Sequence, residues 1–152
     1  MKLPTRTRYG LKAVLTLASR YGEGSLSVSQ IAKKEGISVA YLEQILNGLK
    51  KKGLVKSVRG PQGGYVLSQK PSQLSLKVLL EALEEKPFWE NNGQTAVSAE
   101  SEEVAVADFI FWNRLKVAVQ KGLSEVTLKG LIDEARRFKK SKSSSSHFVF
   151  HI

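Results

Sequence analysis

Residues 27–67 decide the fold, and they read SVSQIAKKEGISVAYLEQILNGLKKKGLVKSVRGPQGGYVL. Ser27 and Gln30 have the spacing of a capping box, in which two side chains satisfy free backbone amides at a helix start. Ser38 is a second N-cap residue, and Gly53 is a typical helix stop after a basic last turn. The stretch therefore predicts two consecutive short helices.

The second of these helices has two different faces. Its apolar residues recur at intervals of three and four and form one stripe, which comprises Leu42, Ile45, Leu46 and Leu49. Its polar residues fall largely away from that stripe, and they comprise Tyr41, Gln44, Asn47 and Lys51. One face is therefore predicted to be buried, and the other to be available to a partner.

The sequence after Gly53 predicts a β-hairpin. Two short β-type runs, 54–58 and 65–67, flank the glycine-rich stretch RGPQGG. This stretch lacks the Gly-Lys-Ser/Thr ending of a nucleotide-binding phosphate loop, and no helix start follows it. Helix, turn, helix and hairpin in this order are typical of a winged helix-turn-helix, which binds DNA.

The rest of the chain predicts a mainly α-helical protein in which the β-wing is a small part. Helical spacing extends over residues 6–21 and 75–84, resumes at Val106 and starts again after Thr127. The polar segment 87–105 has no helical period and predicts a long loop. We therefore divide the chain into a winged helix-turn-helix domain at 1–85, an acidic loop at 86–105, dimerisation helices at 106–140 and a tail at 141–152.

Charge is distributed along the chain in three blocks. The 152 residues carry a net charge of +10. Residues 1–80 hold 14 Lys/Arg against 3 Asp/Glu, residues 81–108 hold 1 against 8, and residues 109–152 hold 9 against 3. Basic surfaces bind polyanions through phosphate contacts and counterion release, so we expect the first block to bind nucleic acid. The alternative is a basic protein whose charge serves only its solubility.

Side chains of the second helix have the chemistry for reading base edges. Gln44 and Asn47 can each form two hydrogen bonds with adenine, and Glu43 can accept one from cytosine. Ser38 and Tyr41, near the helix start, suit contacts to phosphate or base. The alternative for Glu43 is a solvated carboxylate close to a lysine-rich turn.

The hairpin tip adds a second set of candidate contacts. Arg59 stands directly before the tip and can enter the minor groove or pair with guanine, and Gln62 is a further candidate. Gly60 and Gly63 would let the backbone approach DNA closely. The alternative is that a tight hairpin needs these glycines for its own geometry.

Three more cations complete the expected DNA contacts. Arg6 and Arg8 lie at the start of the first helix, where a positive charge is unfavourable to the helix dipole, and this discord favours a role in phosphate binding. Lys51 lies in the last turn of the second helix. There its alternative role is a favourable interaction with the dipole.

Composition excludes several classes of site. The chain has no cysteine, so it can form neither disulfides nor thiolate metal sites. Its only histidines are His147 and His151, which argues against a histidine-based catalytic or metal centre. No apolar run approaches the ~20 residues of a membrane span. The N-terminus lacks a secretion signal, so we expect a cytoplasmic protein with no membrane partner.

The helix that begins near Val106 is apolar on more than one side. A helix of this kind needs cover on several faces, and a small domain has little with which to cover it. We therefore expect a second copy of the chain to bury it. The residues of the expected dimer interface are Phe109, Ile110, Phe111, Trp112, Leu115 and Val119.

Three stretches make the chain resemble a known bacterial family over nearly its whole length: TRTRYGLKAVLTLA, YLEQILNGLKKKGLVKSVRGPQGGY and TLKGL. The family consists of winged-helix repressors and includes the iron–sulfur regulator IscR, the nitric-oxide sensor NsrR and the cysteine-metabolism repressor CymR. The resemblance implies a homodimeric transcriptional regulator that binds a roughly two-fold symmetric operator in double-stranded DNA. It also implies that segment 86–105 is a sensing loop.

In cluster-binding members of that family, three cysteines of this loop hold a [2Fe–2S] cluster. Two of them are commonly six positions apart. Here Ala99 and Ala105 have that spacing, and Ala96 lies just before them. Asp108 falls where one branch of the family has a histidine ligand, or is simply an acid near a helix start, and Ala107 is a less well-spaced candidate. The resemblance implies a cluster for a cysteine-bearing parent and none for this chain. Two origins stay open: engineered replacement of cysteines by alanine, or a natural cluster-free relative.

Other function classes give weaker accounts of the sequence. A regulator of the same fold could respond to a partner protein or a small metabolite that docks on the acidic block. An enzyme is disfavoured, because the chain offers no credible nucleophile–base pair, metal triad or phosphate loop. A structural protein that binds DNA without sequence preference is the third alternative.

Overall fold

A computed structural model describes residues 3–90 and 101–143. Two single turns of 3₁₀ helix lie at Pro71–Gln73 and Phe88–Glu90. The fold is mainly α-helical with one small β-wing, as the sequence predicts. Its regular elements are α1 (Thr5–Ser19), α2 (Val28–Glu35), α3 (Val39–Lys51), β1 (Val55–Val58), β2 (Gly64–Leu67), α4 (Leu76–Leu83), α5 (Glu102–Glu125) and α6 (Leu128–Ser143).

Serine caps start the helices of the DNA-binding domain. The Ser27 hydroxyl accepts a hydrogen bond from the Gln30 amide at 3.1 Å, and the Gln30 side chain accepts one from the Ser27 amide at 2.9 Å. This pair is the predicted capping box. The Ser38 hydroxyl likewise accepts from the Tyr41 amide at 3.3 Å and starts α3.

Helices α1–α4 and the hairpin share one hydrophobic core. The predicted apolar stripe of α3 is confirmed, since all four of its residues are buried. Leu128, the first residue of α6, is completely buried in the same core. Near the N-terminal end of α1, the buried Thr7 hydroxyl donates to Glu84 Oε1 at 3.0 Å. This bond connects α1 to the end of α4. The core therefore fixes α3 and α6 to the same body.

The wing is a two-stranded antiparallel sheet in which Val55 pairs with Leu67 and Val58 with Gly64. Its bounds differ by one residue from those predicted at two points. Leu54 lies outside β1, because its amide donates to Leu49 O at 3.0 Å and closes the end of α3. Gly64 lies inside β2, as the partner of Val58.

The predicted loop 87–105 is wrong at its end, because α5 begins at Glu102. The Ser101 hydroxyl caps this helix, and Glu102 and Glu103 occupy its first turn, where carboxylates suit the helix dipole. The acidic character that favoured a loop is therefore partly that of a helix N-terminus. A 3₁₀ turn also occupies residues 88–90. Residues 91–100 lie outside the described part of the chain.

Helix α6 returns to the DNA-binding domain after α5. The Leu76 amide donates to Val126 O and the Leu128 amide to Leu74 O, both at 2.9 Å. Further along α6, Arg136 Nη2 donates to the carbonyl of Ser19 at the end of α1, at 3.2 Å. Within the described ranges, no helix is long and apolar enough to cross a membrane.

Candidate nucleic-acid interface

Helix α3 presents an exposed polar arc on the side opposite its buried stripe. Gln44, Asn47 and Lys51 are all exposed there. At about 3.6 residues per turn, Glu43 lies on one flank of this arc, and Tyr41 and Gly48 lie on the other. The contacts of the two flanks show that the first faces the wing and the second faces α1.

On the wing side, β2 is bonded directly to α3. The Tyr65 hydroxyl donates to Asn47 Oδ1 at 3.0 Å. Burial raises the pKa of Tyr65 above its usual value, and the nearby Glu43 carboxylate raises it further. Glu43 is itself exposed, and it forms no ion pair with any described residue. The polar arc is therefore connected to the wing through the Tyr65–Asn47 hydrogen bond. The unpaired carboxylate of Glu43 lies near Tyr65.

On the α1 side, an arginine lies against α3. A Cβ added to Gly48 would be 2.9 Å from Arg6 Nη2, so the guanidinium occupies space that only glycine leaves free. Next to it, the Tyr41 ring packs edge-on against Tyr9, with 6.0 Å between ring centroids. Tyr41 is half-buried against the core, and the prediction that it falls away from the apolar stripe is wrong. Its partner Tyr9 lies on another helix and was not part of the periodicity argument.

The wing tip is held in place by backbone contacts. Gly60 has φ +115°, and a Cβ on Gly63 would lie 2.5 Å from the carbonyl oxygen of Val58. The Ser25 hydroxyl donates to the carbonyl of Gln62 at 2.6 Å. The geometry of the hairpin is thus a sufficient reason for both glycines, and their close approach to DNA stays a prediction. Arg59 extends from this fixed tip and is exposed.

Among the described residues, four cations outside this surface form ion pairs, and the cations predicted to contact DNA form none. Lys12, Arg20, Lys77 and Lys129 form ion pairs with Glu35, Glu23, Glu81 and Asp133 respectively. In residues 3–90 and 101–143, no ion pair involves Arg6, Arg8, Lys51 or Arg59. Their charge is therefore not neutralised by the protein and is available to phosphate groups.

The structure brings some of the twelve predicted contact residues together and leaves others separate. Ten are exposed, and Tyr41 and Gly63 are half-buried. Contacts unite Arg6, Asn47 and the arc of α3, whereas no hydrogen bond or ion pair among the described residues joins Arg8 or Arg59 to α3. Tyr65 and Gly48 were not among the site residues predicted from the sequence. A glycine inside a helix costs up to about 1 kcal/mol relative to alanine, so Gly48 was a usable signal of a close contact.

Comparison with known proteins identifies the family. The profile of Rrf2, described as iron-dependent transcriptional regulators, matches residues 3–134. The chain belongs to the Rrf2 family. The predicted resemblance is therefore confirmed, and the chain is a DNA-binding transcriptional regulator by family rather than an enzyme.

Individual Rrf2 relatives match most of the chain. CymR of Bacillus subtilis is 36% identical over 131 residues, which are 86% of this chain and 89% of that protein. Its solved structure, described as that of the global cysteine regulator, has a TM-score of 0.71 at 34% identity and covers 88% of this chain and 98% of its own. The structure of T. potens IscR has a TM-score of 0.67 at 29% identity, with 98% and 94% covered.

The positions where the family resemblance places cluster ligands do not fit a cluster in this chain. Ala105 is an exposed methyl group on α5, and Asp108 Oδ1 accepts a hydrogen bond from Trp112 Nε1 at 3.2 Å. Ala96 and Ala99 lie outside the described residues. No group of three His, Cys, Asp or Glu side chains in the described part could hold a metal ion. A [2Fe–2S] cluster needs thiolate ligands, and the chain has no cysteine.

Helix α5 leaves the predicted dimer-interface residues uncovered. Among its 24 residues, none is buried. Phe109 is 70% exposed, Phe111 58% and Ile110 45%, although each is a large apolar side chain. Trp112 and Leu115 are also exposed, and Val119 is half-buried. The interface assignment stays a prediction, and the exposure of these side chains is compatible with it.

Proposed function

We propose that this Rrf2 protein is a homodimeric, sequence-specific DNA-binding regulator that acts without an iron–sulfur cluster. The observation that carries the proposal is the single basic surface in which Arg6, the arc of α3 and the wing are joined by direct contacts. The cations assigned to it have no carboxylate partner in the described part of the chain. Such a surface supports placement in the cytoplasm, where the DNA is.

Each part of this surface has a separate task on DNA. The exposed amides of Gln44 and Asn47 enter the major groove with α3 and contact base edges. Arg6 and Lys51 border the same arc and bind phosphates, as do Arg8 and the Ser38 end of the helix. Arg59 extends from the fixed wing tip toward the adjacent groove, with Gln62 beside it.

The second copy of the chain covers α5. A helix with no buried residue and a row of exposed aromatic side chains is not stable alone in water, because its apolar surface remains hydrated. A two-fold dimer buries the same face of both copies. It places two α3 helices on one side of DNA, which supports an operator with two inverted half-sites about one helical turn apart.

Selection from a random DNA pool at fixed salt tests this function directly. We expect enrichment of an inverted repeat and tight binding to it. The enriched sequence should exceed scrambled DNA in affinity by on the order of 1000-fold or more. Equal affinity for all sequences would instead identify a structural DNA-binding protein. Salt must be held constant, because phosphate contacts make every affinity salt-dependent.

We further propose that segment 86–100 is the remnant or equivalent of a sensing loop, and that 102–143 forms the dimerisation unit. The six-residue spacing of Ala99 and Ala105 supports descent from a cluster-binding regulator. The test is a chain with Ala96→Cys, Ala99→Cys and Ala105→Cys, reconstituted anaerobically with iron and sulfide. We expect the visible absorption and reduced-state paramagnetic signal of a [2Fe–2S] cluster.

A matched control moves one cysteine off the expected spacing, with Val104→Cys in place of Ala105→Cys. If the two triple variants bind iron equally poorly, the chain descends from cluster-free regulators controlled by a partner protein or a small metabolite. Cysteine codons at 96, 99 and 105 in the natural gene would distinguish engineered replacement from natural alanine.

A further inference from the structure

We propose that Tyr65 is a positioning residue that sets what Asn47 reads, so that Asn47 donates to purine acceptors instead of making the two-pronged contact with adenine. This inference rests on the proposed function, because it describes one contact of that DNA interface. It replaces the adenine contact predicted from sequence with a different chemistry at the same residue.

The Asn47 amide offers both an acceptor, Oδ1, and a donor, Nδ2. Two-pronged recognition of adenine uses both of its groups, since the oxygen accepts from adenine N6 and the nitrogen donates to N7. Here Oδ1 of Asn47 accepts the hydroxyl hydrogen of Tyr65 at 3.0 Å. The two branches of a planar amide diverge, so Nδ2 points away from Tyr65. One of the two lone-pair directions of Oδ1 is thus taken by the phenol, whereas Nδ2 has no hydrogen-bond partner among the described residues. The group of Asn47 that is wholly free for DNA is therefore a donor.

Tyr65 is a rigid reference for this bond. The residue as a whole is only 8% exposed. Its backbone exchanges two hydrogen bonds with Leu26, at 2.8 and 3.1 Å, and it pairs with Ser57 in the wing sheet. Asn47 is exposed, and this hydrogen bond is the one that the described residues provide to its side chain. The wing sheet thus holds Tyr65 in place, and Tyr65 in turn orients the side-chain amide of Asn47.

The reverse orientation of the amide is disfavoured. If Nδ2 faced Tyr65, the phenol oxygen would accept that bond and its own hydrogen would need another acceptor. The observed orientation keeps a part-buried hydrogen bond for the Tyr65 hydroxyl, and Asn47 Oδ1 is the acceptor that the described residues offer to it. Burial and the Glu43 carboxylate both raise the pKa of Tyr65, so the phenol keeps its hydrogen at ordinary pH.

A lone outward donor has a definite preference among bases. In the major groove, guanine presents two acceptors, N7 and O6, and adenine presents N7, whereas cytosine presents a donor. We therefore expect a purine at the position contacted by Asn47, with guanine at least as favourable as adenine. A freely rotating asparagine would favour adenine.

The test compares Tyr65→Phe, Asn47→Ala and the double variant by selection from random DNA and by affinity for the selected operator at fixed salt. Tyr65→Phe should shift the base preference at one position toward adenine and weaken binding to the original operator by roughly 3- to 10-fold, the worth of one hydrogen bond. Asn47→Ala should abolish the base preference at that position. The double variant should have the same base preferences and affinity as Asn47→Ala alone. Tyr21→Phe, at an exposed tyrosine outside this surface, is the control.

A second variant keeps the inference testable if Tyr65→Phe unfolds the wing. Asn47→Asp retains an acceptor for the Tyr65 hydroxyl but has no donor, so the purine preference should disappear. A retained purine preference in that variant would overturn the inference, as would an unchanged profile in a folded Tyr65→Phe while Asn47→Ala loses specificity. If the unaltered protein itself binds without sequence preference, the proposed function fails first.

Discussion

Helices α3 and α5 are both incomplete in the single chain, but in opposite ways. Helix α3 buries four apolar side chains and leaves exposed a polar arc that holds two amides and Lys51. Helix α5 buries none of its residues and leaves phenylalanine, isoleucine and tryptophan exposed. The chemistry left exposed indicates the missing partner. Amides and unpaired cations fit a polyanion, and aromatic surface fits another apolar protein surface.

The largest effect is expected when the exposed apolar surface of α5 is made polar, because the proposed protein partner of α5 then loses its contact surface. Ile110→Asp with Phe111→Asp should convert the proposed dimer to monomer or aggregate, as sedimentation equilibrium would show. Operator affinity should fall by on the order of 100-fold or more, because the two DNA-binding domains are no longer linked to each other. Ser72→Asp with Gln73→Asp adds the same charge at exposed positions elsewhere and should leave the dimer intact. A well-folded dimer in the first variant would contradict the assignment of α5.

The wing provides the next largest effect. Arg59→Ala should weaken specific binding by roughly 1–3 kcal/mol, the range for a good base contact. Titration of a labelled operator at constant salt measures it. Arg20→Ala is the matched control, because Arg20 is already paired with Glu23 at the end of α1. Equal losses for the two arginines would mean that Arg59 contributes only general charge.

Gly48→Ala sharpens the comparison within α3, since stability and affinity should change in opposite directions. Alanine in place of an interior helical glycine stabilises by up to about 1 kcal/mol, and the displaced Arg6 end is flexible enough to move. The same displacement should remove one phosphate contact and lower the salt dependence of binding by about one unit of slope. Thermal unfolding and binding at several salt concentrations report the two effects separately.

Arg6→Ala should reproduce the affinity loss of Gly48→Ala without the gain in stability. Adding Gly48→Ala to it should then leave the affinity unchanged. If Gly48→Ala alone leaves both the affinity and the salt slope unaltered, Arg6 does not bind phosphate from this position.

The smallest expected effect concerns Glu43. Glu43→Ala should broaden the set of DNA sites bound while the best site loses little affinity, because an unpaired carboxylate repels phosphate and accepts only from suitable bases, chiefly cytosine. Selection from a random pool compares the two specificities. Identical base preferences at every position would show that Glu43 is a solvated surface acid.

Local signals made the DNA-binding half of the fold predictable. Ser27 with Gln30, and Ser38 with the stripe that follows it, act within one or two helical turns, and the structure contains both. The start of α5 was predicted too late, because Glu102 and Glu103 serve a helix N-terminus and were assigned to an acidic loop. An acidic segment fits either a loop or the first turn of a helix, and here only the N-cap Ser101 distinguishes the two.

Non-local contacts account for what sequence reasoning missed in the site. Tyr65 lies 18 positions from Asn47, and Arg6 approaches Gly48 from another helix. No periodicity or spacing rule connects such pairs, since they meet only after the core has placed α1 and the wing beside α3. Tyr41 is the same case, because its half-burial depends on Tyr9.

The backbone pairing of Ser75 with Thr127 has a consequence for the variability of the chain. It closes a ring of about 50 residues that includes α4 and α5, and the buried Leu128 follows directly after the point of closure. The entropy of closing such a ring depends on the logarithm of its length, so ten extra residues would cost only about 0.2 kcal/mol. Insertions at residues 91–100 are therefore cheap, and the fold can exchange this segment for longer or shorter ones while the DNA-reading surface stays intact.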